Sequence, residues 1–66
     1  MWTPIIGENA GKIWQVLNEK GQTDIGKLRN VTGLNNQELY LALGWLCRES
    51  KIGIEQKQNI VLINLA

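Results

Sequence analysis

The chain has 66 residues, which leaves room for one small core, since so short a chain buries only roughly 60% of the surface it exposes when unfolded. Apolar residues make up 44% and charged residues 20%, a globular balance that excludes an intrinsically disordered chain. Seven Lys and Arg against six Asp and Glu leave a net charge of +1, which excludes a strong electrostatic pull on nucleic acid or anionic lipid.

Thr3 and Pro4 predict a helix N-cap and first helical position, because proline lacks the amide hydrogen that finds no acceptor there. Ile6, Ala10, Ile13 and Leu17 follow at spacings of four, three and four and lie on one helical stripe with Trp14 beside it. Gly21 is expected to close the helix in a left-handed conformation. Gln22-Thr23 leaves room for a short strand. Asp24 can cap a second helix of about two turns, with Ile25, Leu28 and Val31 as its buried edge. Gly33 then supplies a tight bend and Leu34 tucks back toward the core. Asn35 and Glu38 have the spacing of a capping box, which opens a third helix with Leu39, Ala42, Leu43 and Leu46 as its inward stripe.

Beyond Glu49-Ser50 the period becomes extended. Ile52-Gly53-Ile54 and Ile60-Val61-Leu62-Ile63-Asn64-Leu65 predict a β-hairpin around a polar loop, Glu55 to Asn59. Three helices, a Gly-containing bend between the last two and a terminal ribbon make an α+β winged helix-turn-helix, one domain spanning residues 1–66 with a two-stranded wing. The segment Leu28-Arg29-Asn30-Val31-Thr32-Gly33-Leu34-Asn35-Asn36-Gln37-Glu38-Leu39 resembles the helix-turn-helix of many bacterial winged-helix proteins. Ile6 to Trp14, taken with Leu41-Ala42-Leu43-Gly44-Trp45-Leu46-Cys47-Arg48-Glu49-Ser50-Lys51-Ile52, is similar to a family of short, uncharacterised bacterial winged helix-turn-helix domains. That resemblance covers nearly the whole chain and implies the fold, with no assigned activity. Cys47 stands where a small Ala is usual in that pattern.

Two functional classes stay open. In the first, duplex DNA is read by the third helix: Asn35, Asn36 and Gln37 suit adenine, Tyr40 reaches phosphate, and Arg48 serves phosphate or guanine. Lys57 at the wing tip would add a phosphate contact. Between Asp24 and Lys51 the bases exceed the acids by one, so binding by one copy is expected to be weak and a symmetric dimer would double the contacts. In the second class the fold is a protein-interaction or dimerisation module. Leu41 and Trp45, four apart, share a face away from the inward stripe, and Val61 and Ile63 belong to a strand that is apolar on both sides. The reading that gives these residues no partner packs Trp45 under the wing of its own chain and Tyr40 at the core rim. Trp2 and Trp14 are expected to pack internally rather than to stack on a ligand.

An enzyme is not expected: there is no His, no Gly-rich phosphate cradle and no paired carboxylates. Neither a cofactor nor a metal has enough ligands, and Cys47 is expected as a small buried hydrophobe. The single Cys cannot form an internal disulfide, and the start Met1-Trp2-Thr3-Pro4 lacks the basic run of a signal peptide; a cytoplasmic setting is the expectation.

Overall fold

A computed structural model describes residues 1–66, as α1 (Trp2–Lys20), β1 (Thr23–Asp24), α2 (Ile25–Thr32), α3 (Asn36–Arg48), β2 (Ile52–Lys57) and β3 (Ile60–Leu65). The first helix starts one residue before the expected cap. Met1 is its N-cap and makes no side-chain cap bond, so Thr3 and Pro4 fall inside the first turn, where an absent proline N–H still costs nothing. Ala10, Ile13 and Leu17 are buried as the spacing predicts, whereas Ile6 is only half-buried. Gly21 ends α1 with φ 78° and ψ −157°, a positive-φ extended backbone rather than the left-handed helical one, and its N–H donates to the Leu17 carbonyl. Only glycine visits that region readily.

The helix-turn-helix is held by local side-chain bonds. The Asp24 carboxylate accepts from the Lys27 amide at 2.9 Å and starts α2. Gly33 ends it in the left-handed conformation at φ 72°, and Leu34 folds into the core. At α3 both halves of the capping box form: Asn35 Oδ1 accepts from the Glu38 amide at 2.8 Å, and Glu38 Oε1 from the Asn35 amide at 3.0 Å. Asn35→Ala removes an acceptor for an otherwise orphaned N–H. Urea unfolding is expected to find it less stable by about 1 kcal/mol; an unchanged midpoint would show that solvent replaces the cap at no cost. At the other end of α3, Ser50 adopts φ 58°. Its amide donates to the Cys47 carbonyl and that of Lys51 to the Leu46 carbonyl, the paired bonds of a Schellman turn, with Ser in the place glycine usually takes.

The three strands form one antiparallel sheet in the order β1-β3-β2. The short strand near Thr23 exists and pairs Thr23 with Ile63 and Asp24 with Leu62. The wing hairpin is longer than the apolar runs suggest, because Glu55, Gln56 and Lys57 continue β2 opposite Leu62, Val61 and Ile60. Only Gln58 and Asn59 turn the chain. A run of consecutive exposed polar residues along a sheet edge is a strand that an apolar count misses.

Eleven buried apolar residues form one cluster: four from α3, three from α1, and Leu28, Leu34, Ile52 and Ile63. Val31, expected at the edge of α2, is exposed, and Ile25 and Leu28 alone face inward. Asn9 is 6% exposed and its Nδ2 has no hydrogen-bond partner. The one hydrogen bond between two side chains joins Arg29 to Asn36, and no Lys or Arg donates to a carboxylate. No helix is long and apolar enough to cross a membrane.

Candidate nucleic-acid interface

Opposite the buried stripe of α3 runs an exposed one. Gln37, Tyr40, Gly44 and Arg48 follow at spacings of three, four and four and are all exposed, a line roughly 16 Å long at the usual helical rise. Side chains of this line meet nothing in their own chain that would fix them inward; Tyr40 is 55% exposed, not packed at the core rim. Gly44 lies in the middle. A Cβ built there would touch no atom within 4 Å, so nothing inside the domain requires glycine at that position.

The other candidates divide. Asn35 spends its side-chain oxygen on the helix cap. The Asn36 oxygen accepts from Arg29 Nη1 at 2.7 Å, which holds its amide at the mouth of the helix-turn-helix. Arg29 was not among the residues singled out from the sequence, because its position seven residues before Asn36 becomes proximity only through the Gly33 bend. Lys57 is exposed at the far end of β2, five positions or roughly 16 Å along the strand from Ile52, so it belongs to the wing and not to the α3 line.

Residues 1–65 match the family described as a winged helix-turn-helix domain (DUF2582). The chain belongs to that family. It is 44% identical to "Uncharacterized protein MJ1608" of Methanocaldococcus jannaschii over 98% of this chain and 94% of that protein. It is similar in structure to protein BT2368 from Bacteroides thetaiotaomicron, solved by solution NMR, with a TM-score of 0.88, 40% identity, and coverage of 98% of this chain and 79% of the other. One of these relatives is archaeal and the other bacterial, so the likeness is not confined to bacteria.

In this winged helix-turn-helix the apolar candidates also separate. Leu41 and Trp45 are both 41% exposed on the flank of α3 beside the Gln37 line. Ile63, expected on an outward surface, is completely buried, and Val61 packs against the core, because the register with β2 turns the odd-numbered residues of β3 inward. The outward apolar residues of that strand are Ile60, which is exposed, and Leu62, which is half-buried. Cys47 is exposed rather than buried: as the residue after Leu46 it is rotated about 100° round the helix from it, at the edge of the inward stripe. Trp2 and Trp14 are likewise exposed rather than packed internally. Trp14 and Trp45 line one open groove of about 600 Å³ between α1, α3 and the end of β3, with Gly7, Gly11, Ser50 and Lys51 among the other lining residues. Sequence spacing could not bring those two indoles together, because the angle between α1 and α3 decides it.

Proposed function

We propose that this domain binds duplex DNA, with α3 lying in the major groove, and that it acts in gene regulation as a symmetric pair. The observation that carries the reading is the Gln37-Tyr40-Gly44-Arg48 line. A helix-interior glycine is less favourable than alanine by about 1 kcal/mol, and here no contact within the chain accounts for it. A bare helix surface amid polar side chains suits the close approach of a groove wall. In this reading Gln37 meets base edges, Tyr40 and Arg48 meet phosphate, and Lys57 adds a wing contact to the DNA backbone; their exposure and the Arg29–Asn36 bond support it. The net charge of +1 gives one copy few phosphate contacts, and a pair on two half-sites doubles them.

Amide shifts during titration with duplex DNA at low salt test this. Residues 36–48 and the wing around Lys57 are expected to move together, and Arg48→Ala is expected to weaken binding by about 1–2 kcal/mol. Binding that leaves α3 unperturbed, or no binding even at low salt, would refute it.

A second reading, association with protein through α3, is favoured by the exposure of Leu41 and Trp45. Sedimentation decides it: the parent chain should self-associate or bind a partner in a manner that Leu41→Ala and Trp45→Ala abolish.

A further inference from the structure

We propose that this domain prefers guanine where the first turn of α3 meets the major groove, an inference that rests on the DNA-binding reading and adds to it the base that is selected. A free carboxamide reads adenine because it offers an acceptor and a donor side by side, to N6 and N7 respectively. Asn35 and Asn36 no longer have that pair to offer. Asn35 Oδ1 accepts from the Glu38 amide at 2.8 Å, and Asn36 Oδ1 accepts from Arg29 Nη1 at 2.7 Å. A backbone N–H and a guanidinium can only donate, so each must hold the side-chain oxygen and leave the Nδ2 donors unspent. Neither Nδ2 donates to anything in the molecule, and both residues are exposed.

Arg29 extends the same chemistry. It is exposed on α2, and apart from Asn36 its guanidinium bonds nothing. The bond to Asn36 sets its remaining N–H groups beside the Asn36 carboxamide. The one acid in the first turn of α3, Glu38, is turned back onto the Asn35 amide at 3.0 Å. Donors therefore dominate the mouth of the helix-turn-helix. In the major groove guanine presents N7 and O6, both acceptors, whereas adenine N6 and cytosine N4 would set a donor against a donor, and thymine offers O4 alone beside its methyl group. Gln37, exposed and with no bond to its carboxamide, keeps both halves and still suits adenine. The guanine preference thus belongs to the base that Asn36 and Arg29 meet and not to that of Gln37.

Retention of duplexes from a random-sequence pool by the full chain at low salt, followed by sequencing, tests this. One position of the retained motif is expected to favour guanine over adenine by about fivefold or more. Asn36→Asp keeps an acceptor for Arg29 and suits a helix start, but turns the outward donor into an acceptor, so the preference there should pass to cytosine on the same strand. Arg29→Met frees the Asn36 oxygen, and adenine should gain at that position. Both residues are exposed, so neither change should disturb the fold. Enrichment of adenine by the parent chain, no preferred base, or a preference that both variants leave unchanged would overturn the inference while DNA binding stands. A pool from which nothing is retained removes the DNA reading as well, so the two failures are told apart.

Discussion

Leu39→Ala is expected to lower the unfolding free energy by about 3 kcal/mol. Leu39 sits in the first buried turn of α3, is fully enclosed, and belongs to the single cluster that α1, α2, α3 and the sheet share. Truncation removes three carbon atoms' worth of burial and leaves a void whose walls come from several elements, so the site cannot collapse around it. At the usual ~0.05–0.15 kcal/mol per residue a domain of this size holds only roughly 3–10 kcal/mol in all. One substitution thus removes a large share, and the melting temperature should fall by about 12–24 °C. Leu41→Ala, two residues along the same helix but 41% exposed, should change stability by less than about 0.5 kcal/mol. Comparable losses at the two positions in urea or thermal unfolding would mean that the α3 stripe has been assigned to the wrong face.

Asn9→Leu should have a large effect of opposite sign. The Asn9 carboxamide is nearly enclosed on α1, and its Nδ2 donates to nothing. A buried polar group without a partner costs about 1–3 kcal/mol in desolvation, while leucine repeats the branched four-atom side chain of asparagine with bulkier, apolar ends and favours a helix. The variant is expected to be more stable by about 1–2 kcal/mol. A destabilised variant would reveal a partner for that amide in solution, for example a bound water. Asn9 escapes a reading from sequence because an Asn in a helical pattern is ordinarily assigned to the wet face, and only the packing of α1 shows that position 9 is covered.

The same contrast marks how far the sequence is legible. The α3 cap and its stripe follow from local chemistry: Asn35 and Glu38 are three apart, and Leu39, Ala42, Leu43 and Leu46 keep helical period, so both appear in the structure as read. Asp24 and Gly33 are legible for the same reason. What fails depends on partners distant in sequence. Ile63 and Val61 belong to a run of four apolar residues, in which period two is invisible; only the pairing of Ile63 with Thr23 and Ile54 sets which side faces in. Of the candidate site, the α3 residues could be named in advance because they share one helix. The Arg29–Asn36 bond and the Trp14–Trp45 groove could not, since each joins two helices whose relative placement no local spacing records.

The lack of any bond from Lys or Arg to a carboxylate has a practical consequence. Sodium chloride has no internal attraction of that kind to screen, so the melting curve should stay nearly level as electrolyte is added. Contact with phosphates would instead weaken steeply, because it depends on displaced counterions. If the proposed contact with DNA is made, ionic strength becomes a dial that loosens it while leaving the protein itself intact.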